Sequence, residues 1–118
     1  INYPGAYNKQ HIHPNSQWSG VYYVKVPKNS GNLFVEDPRP GPNIILPRRL
    51  TGIPRALWRV IIYPAIEGQM IMFPAWLQHS VEVNTCNQDR ISISFNTIWK
   101  YTGGKQNDVN TNSGYTYG

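Results

Sequence analysis

Two of the three histidines in this chain are separated by a single residue, in the run His11-Ile12-His13, and the third is His79. In an extended strand, residues two apart point to the same face and lie about 6–7 Å apart along the strand. Two imidazoles in that arrangement can bend toward one metal ion, and imidazole is a ligand that iron, zinc and copper accept. The same spacing is also typical of solvated polar residues on an exposed strand. A metal site therefore requires that the fold bring His79 back to the pair.

A second pair of residues follows the third histidine. Arg90 and Ser92 would share a face of a strand, as the two early histidines do. A guanidinium offers a planar fork that matches a carboxylate, and a serine hydroxyl adds one more donor. Alone, Arg90 is typical of a surface residue at the start of a strand. Close after a candidate metal histidine, it predicts a clamp for the carboxylate of a chelating co-substrate.

The elements that must position these residues are predicted to be short strands. Runs rich in β-branched and aromatic residues are separated by turns containing glycine, proline and asparagine. The predicted strands are residues 7–13, 18–26, 32–36, 44–46, 57–63, 69–73, 80–83 and 90–99. The proline cluster at 37–42 is predicted to be neither helix nor central strand. Residues 90–99 alternate apolar and polar side chains, which predicts a strand with one face buried.

About eight short strands with frequent turns indicate an all-β sandwich or barrel, and a double-stranded β-helix (a jelly roll, the barrel that cupins share) fits the count. In a jelly roll, an early and a late strand can lie side by side at the mouth of the barrel. That neighbourhood would let His79 meet His11 and His13. We expect one jelly-roll domain over residues 1–101 and a flexible or irregular tail over 102–118, which is rich in glycine, asparagine, threonine, serine and tyrosine.

Charge and cysteine content narrow the partners. The chain has 118 residues, a net charge of +5 and one cysteine, Cys86. A basic balance favours an anionic partner, such as a carboxylate co-substrate, a phosphorylated substrate or nucleic acid. Nucleic acid has weak support, because no recognition motif accompanies Arg48, Arg49, Arg55 and Arg59. A lone cysteine is consistent with a reducing compartment, so we expect the cytoplasm, and no apolar run approaches the ~20 residues of a membrane span.

Five motifs spread over residues 7–96 form a more specific pattern together than singly. They are Tyr7-Asn8-x-x-His11-x-His13-Pro14, Trp18-Ser19-Gly20-Val21-Tyr22-Tyr23-Val24, Ser30-Gly31 with Asp37-Pro38-Arg39, Gly68-x4-Phe73-Pro74-x-Trp76-Leu77-x-His79-x-Val81, and Arg90-Ile91-Ser92-Ile93-Ser94-Phe95-Asn96. In these motifs the chain resembles the Fe(II)- and 2-oxoglutarate-dependent oxygenases, and more narrowly those found in phage and marine bacterial sequences. Such enzymes hydroxylate a substrate with O2 while decarboxylating 2-oxoglutarate.

The resemblance implies roles for individual residues. His11 would be the first iron ligand and His79 the distal one. Arg90, with Ser92, would hold the distal carboxylate of 2-oxoglutarate. A tyrosine of the second strand, Tyr23 or Tyr22, is similar to those that hydrogen-bond the same carboxylate. Asn8 would contact the co-substrate or product.

The chain departs from the superfamily at the second ligand. The usual first motif is His-x-Asp or His-x-Glu, whereas this chain has His11-x-His13. If His13 replaces the carboxylate, three neutral imidazoles would bind the iron, which is chemically reasonable. The alternatives are a carboxylate from Glu36 or Asp37, or water. We favour His13.

Two rival interpretations stay open. The spacings Gly5-x5-His11-x-His13 and Gly68-x5-Pro74 before His79 are similar to the two cupin motifs, which would indicate a metal-dependent dioxygenase, an isomerase or a sugar-binding module. A cupin would have a glutamate where this chain has Gln17 and Trp18, and a glycine in place of Trp76. The third interpretation is a structural jelly roll without metal. The sequence does not reveal the primary substrate, and it is compatible with a homodimer.

Overall fold

The computed structural model describes residues 1–44, Gly52 and residues 58–100. Within these ranges the chain forms seven strands and one short helix. In chain order they are β1 (Asn8–His11), β2 (Trp18–Lys25), β3 (Leu33–Glu36), α1 (Pro40–Ile44), β4 (Val60–Tyr63), β5 (Met70–Pro74), β6 (His79–Val81) and β7 (Ile91–Thr97). Each of these seven strands overlaps a predicted strand, and none extends more than one residue beyond the predicted range. The tail at 102–118 and most of the predicted strand at 44–46 lie outside the described residues.

The seven strands form two antiparallel sheets. One sheet has the order β1-β6-β3-β4, and the other has the order β5-β2-β7. Most neighbours in these sheets are distant in sequence, so the chain passes repeatedly from one sheet to the other. The described part of the protein is therefore all-β with almost no helix, as predicted, and it is consistent with a jelly roll. Among residues 1–44 and 58–100, no helix has the length and apolar character that crossing a membrane needs.

The helix α1 corrects one prediction. The cluster at 37–42 was expected to exclude a helix, yet α1 begins at Pro40 and includes Pro42. The first four N–H groups of a helix have no acceptor within the helix, so a proline there loses no hydrogen bond. Its fixed φ also suits a first turn. Because α1 has only five residues, it is all first turn and has no interior for a proline to break. Ile44, predicted to begin a strand, ends this helix.

The apolar core lies between the sheets and is small. Leu33 and Val35 of β3 pack with Phe73 of β5, and Ile71, Leu77 and Val81 lie partly buried against them. Leu33, Phe73 and Val81 also line a cavity between the sheets. The core therefore forms the apolar wall of that cavity.

In an ordinary half-buried strand the apolar side chains face the interior, and in β7 the polar side chains face it instead. Its polar residues Ser92, Ser94 and Asn96 line the cavity between the sheets. The apolar Ile93, which alternates with them, is 57% exposed. The alternation correctly predicted a strand, but the polar face points inward because it borders a cavity that is lined partly by polar side chains rather than a closed apolar core.

A glycine fixes the turn between β2 and β3. Gly31 has φ of +93°, and a Cβ there would lie 3.0 Å from the carbonyl carbon of Glu82 and 3.2 Å from the carbonyl oxygen of Val83. Gly68 has a similar φ of +82°, but nothing lies within 4 Å of its added Cβ. The two glycines therefore share a left-handed backbone and differ in the space around it.

We expect Gly31→Ala to lower the free energy of unfolding by about 2–4 kcal/mol, since a left-handed conformation is added to a contact with backbone that cannot easily move. Gly68→Ala carries only the conformational cost, about 1–2 kcal/mol. Urea denaturation of both variants measures the difference. Equal losses would show that the contact at Gly31 is relieved without cost.

Candidate metal centre

The pairing of β1 with β6 brings the first and third histidines together. His11 is the register partner of His79, and β3 pairs with β6 on its other side, through Val35 and His79. Opposed residues in antiparallel strands have Cβ atoms about 4.5–5.5 Å apart. The centroids of the His11 and His79 rings lie 4.3 Å apart. The early and the late strand are thus neighbours, as a jelly roll requires.

An irregularity in the register of β1 places His11 opposite His79. Asn8 pairs with Val81 while His11 pairs with His79, so the two residues between Asn8 and His11 oppose a single residue of β6, Ser80. An extra residue of this kind is a β-bulge, which turns later side chains to the other face. Without it, Gln10 rather than His11 would oppose His79. Because of it, Asn8 and His11 both line the cavity between the sheets.

His13 completes the group just beyond the end of β1. Its backbone N–H donates to the carbonyl of Ala75 at 2.9 Å, which holds the chain beside β5. Its ring centroid lies 4.9 Å from that of His11 and 5.2 Å from that of His79. One ring nitrogen of each of the three histidines lies within 4.8 Å of the others. These are the residues in the described part of the chain that could jointly hold a metal ion.

Hydrogen bonds set the tautomer of two of the three rings. Nδ1 of His11 lies 2.6 Å from the carbonyl oxygen of Lys9, and Nδ1 of His79 lies 2.8 Å from that of Leu77. A carbonyl oxygen only accepts, so each Nδ1 carries the proton. In the neutral ring Nε2 then carries no proton and offers its lone pair, which is the arrangement found in histidine ligands of metals.

The surroundings also keep two imidazoles neutral. Burial lowers the pKa of His79, the hydrogen bond to Leu77 opposes that effect, and the charges of His11 and His13 lower the pKa further. Burial, followed by repulsion from His11, lowers the pKa of His13. A neutral imidazole is the form that binds a metal, so neither ring has to release a proton to solvent at neutral pH.

Arg90 lies in the same cavity, immediately before β7, where its backbone bridges to Asn2. Only 2% of its surface is exposed. Its Nη1 donates to the carbonyl oxygens of Ser30 at 3.2 Å and Gly31 at 3.0 Å, while its buried Nε has no hydrogen-bond partner. Burial lowers the pKa of Arg90, and the nearby Tyr23 opposes this. A buried guanidinium with an unpaired N–H is costly, so a ligand acceptor would stabilise this arrangement.

The structure distinguishes the two tyrosines that the resemblance left open. Tyr23 pairs with Ser92 across β2 and β7, is 3% exposed, and lines the cavity with Ser92 and Asn8. Burial raises the pKa of Tyr23 and Arg90 lowers it, so the phenol stays a donor at neutral pH. Tyr22 points to the other face of β2, is 37% exposed, and is not among the described lining residues.

The carboxylates considered as alternatives to His13 lie elsewhere. Neither Glu36 nor Asp37 belongs to the histidine group or to the cavity lining that the structure describes. The Asp37 carboxylate accepts from Nε of Arg39 at 2.9 Å, and its hydrogen bonds with Arg39 lower the pKa of Asp37 to about 2.

Of the basic residues considered for phosphate contact, Arg59 is exposed, and Arg48, Arg49 and Arg55 lie outside the described residues.

Sequence reasoning missed four polar residues of the cavity: Asn2, Ser19, Ser94 and Asn96. Ser19 of β2 donates from its Oγ to Oδ1 of Asn96 at 2.7 Å, and Nδ2 of Asn96 lies 3.5 Å from Nδ1 of His13. Asn96 shares a face with Ser92 in the alternation of β7, so the period that marked Ser92 could also have found Asn96. The carbonyl oxygens of Ser30 and Gly31 that accept from Arg90 belong to the backbone, so no residue type in the sequence predicts these hydrogen bonds.

Two antiparallel sheets that enclose clustered imidazoles and a buried arginine define a β-sandwich protein with a candidate metal-binding cavity. The sequence model of the family described as "Putative 2OG-Fe(II) oxygenase" matches residues 1–96, and the chain belongs to that family. A search of curated proteins finds no match to the chain. The match spans all three histidines, Arg90 and Ser92, and membership of this family together with the histidine group is consistent with Fe(II) and 2-oxoglutarate. The narrower resemblance to phage and marine bacterial proteins stays a prediction.

The lowered histidine pKa values predict how the metal-free protein responds to acid. His79 and His13 have pKa values below 6.5 when folded and regain about 6.5 on unfolding. Below pH 6.5 the unfolded chain thus binds more protons, so acidification favours unfolding. We expect the free energy of unfolding to fall as the pH drops from 6.5 through the folded pKa values, as urea denaturation at a series of pH values would measure.

The variant His79→Gln removes one of these titrating groups, so its stability should decline less on acidification. Asp37, with its pKa at about 2, stays ionised throughout this range and does not contribute. An equal decline in the variant and the wild type would contradict the assignment to His79.

Proposed function

We propose that the protein is an Fe(II)- and 2-oxoglutarate-dependent oxygenase with a double-stranded β-helix fold. It would hydroxylate a substrate C–H bond with O2 while 2-oxoglutarate is decarboxylated to succinate and CO2. The observation that carries this proposal is that three imidazoles and a buried, incompletely paired arginine line a single cavity. Family membership supports the same conclusion.

The three histidines would hold the iron. Imidazole nitrogen is a good ligand for Fe(II), and His11 and His79 already present Nε2 without a proton. Three protein ligands on one side leave the opposite positions open, as oxygen activation requires. Bound iron would supply the redox chemistry that activates O2. The chain's own part is to keep the imidazoles neutral and oriented, and Phe73, whose ring centroid lies 4.6 Å from that of His79, backs one of them.

Arg90 would bind the far carboxylate of 2-oxoglutarate. Its Nη1 is occupied by Ser30 and Gly31, which leaves Nε for a ligand oxygen. Tyr23 and Ser92, paired across the sheet, supply two hydroxyl donors in the same cavity. Charge-assisted hydrogen bonds of this kind are the strong ones, and a dianion would compensate the buried positive charge. Asn8 would contact the co-substrate or product.

The cytoplasm suits this chemistry. A reducing compartment would keep iron ferrous, and Cys86, which is a free thiol in the structure, would stay reduced there. O2 and 2-oxoglutarate are the partners that the proposal requires. It sets no condition on the primary substrate beyond a reactive C–H bond.

The first test is metal content. We expect the wild-type protein, reconstituted with Fe(II) without oxygen and desalted, to hold about one iron per chain, because three neutral donors converge. His11→Ala and His79→Ala should lose most of it. Gln10→Ala is the matched control, since Gln10 lies beside His11 on β1 and hydrogen-bonds Gln78 instead. Elemental analysis measures the content. Absence of bound iron in the wild type would favour a structural jelly roll.

The second test addresses Arg90. Arg90→Lys keeps the charge but loses the planar fork, so we expect the affinity for 2-oxoglutarate to fall about 10- to 100-fold with iron content unchanged. Arg59→Lys makes the same exchange at an exposed position and should have no effect. Anaerobic absorbance titration measures binding, and succinate release measures uncoupled turnover.

Three results of the second test are informative. Loss of succinate release in Arg90→Lys alone supports the oxygenase. Bound metal without 2-oxoglutarate turnover in the wild type would favour the cupin interpretation instead. Equal 2-oxoglutarate affinity in Arg90→Lys and the wild type would remove Arg90 from the co-substrate site.

A further inference from the structure

His13 differs from the other two histidines in what faces its Nδ1. His11 and His79 each have a backbone carbonyl oxygen within 2.8 Å of Nδ1. The group opposite Nδ1 of His13 is instead the side-chain amide of Asn96, whose Nδ2 lies 3.5 Å away. Behind that amide, Oγ of Ser19 lies 2.7 Å from Oδ1 of Asn96, and Ser19 is 2% exposed.

A carbonyl and an amide impose different conditions on an imidazole. A carbonyl can only accept, so it fixes the proton on Nδ1 and leaves Nε2 free to bind a metal. An amide can present its oxygen or, turned over, its nitrogen, with almost the same shape. If Nδ2 of Asn96 faces His13, Nδ1 must accept, and the single proton of the neutral ring lies on Nε2. Nε2 is then unable to bind a metal.

The hydroxyl of Ser19 permits both orientations of the amide. It donates to Oδ1 in the orientation found here, and it can accept from Nδ2 if the amide is reversed. In the reversed orientation, Nδ1–H of His13 donates to Oδ1 of Asn96. The present contact of 3.5 Å between two nitrogen atoms is longer than a good hydrogen bond, so reversal sacrifices little.

We propose that Asn96, backed by Ser19, is the positioning residue for His13, and that its amide oxygen turns to Nδ1 of His13 when iron binds. The inference rests on the proposed function, because it assumes that His13 is a ligand. His11 and His79 are preset by the backbone, whereas His13 becomes a ligand only in the tautomer that Asn96 selects. Asn96 itself touches neither metal nor co-substrate in this proposal.

The test compares two substitutions at Asn96 with a matched control. Asn96→Asp presents only acceptors to His13 and should bind Co(II) at least as tightly as the wild type. Asn96→Ala removes the partner and should weaken Co(II) binding about 10- to 100-fold, the usual effect of losing a hydrogen-bond partner of a ligand. Ser94→Asp introduces the same charge two residues earlier on the cavity face of β7, and it controls for electrostatic attraction alone. Competition with a chelator measures each affinity.

A second readout does not depend on metal. Nitrogen NMR of the histidine rings in the metal-free protein reports which nitrogen carries the proton. We expect Nε2–H for His13 in the wild type and Nδ1–H in Asn96→Asp, with His11 and His79 keeping Nδ1–H in both. A purely structural role for Asn96 would leave the His13 tautomer unchanged.

The results separate this inference from the proposed function. Equal Co(II) affinity in the wild type and Asn96→Ala, or an equal gain in Ser94→Asp and Asn96→Asp, would overturn the role of Asn96 while leaving the metal site intact. An unchanged His13 tautomer in Asn96→Asp would overturn it as well. If the wild type bound no metal, the proposed function would fail, and with it the role of His13 as a ligand.

Discussion

The register between β1 and β6 is the constraint on which the candidate site depends. Side chains alternate along a strand, so a shift of one residue would move every side chain of β1 to the other face. The bulge between Asn8 and His11 supplies that shift locally, and it allows a residue before the bulge and a residue after it to face the same cavity. The strands β6 and β3 are the two inner strands of their sheet, and their pairing places His79 in a buried position beside the core.

The cavity brings together groups that could bind a metal ion and a positive charge that could bind an anion, and residues from both sheets contribute to it. Three imidazoles offer lone pairs, burial lowers the pKa of two of them, His13 and His79, and Arg90 offers charge without a carboxylate partner among the described lining residues. Burying an uncompensated guanidinium opposes folding by several kcal/mol. The carbonyls of Ser30 and Gly31 offset part of that cost, and Gly31 has the left-handed backbone conformation that glycine adopts without strain. The turn between β2 and β3 thus supplies the hydrogen-bond acceptors that hold Arg90.

Much of the architecture could be predicted from local patterns, because strand periodicity and turn residues are local properties. The alternation in β7 gave its location, and His-x-His gave two members of the histidine group. The direction that β7 faces was not predictable from the pattern, since the polar side of a strand points inward only where a polar cavity exists. The helix at Pro40 was missed because the rule against proline applies to helix interiors. The bulge in β1 and the hydrogen bonds from Arg90 to the carbonyls of Ser30 and Gly31 depend on pairing between distant segments, and no local residue pattern encodes them.

The proposed replacement of the usual carboxylate ligand by His13 would change more than the identity of one ligand. A carboxylate ligand is negatively charged and has no tautomers, so it is ready to bind in any orientation of its neighbours. An imidazole is neutral and binds through Nε2 only when the proton is on Nδ1. Iron held by three imidazoles would keep one more unit of positive charge than iron held by two imidazoles and a carboxylate, which strengthens its attraction for a dianionic co-substrate. If His13 is a ligand, as we propose, the site would depend on an acceptor behind His13, and Asn96 with Ser19 lies where that acceptor would be needed.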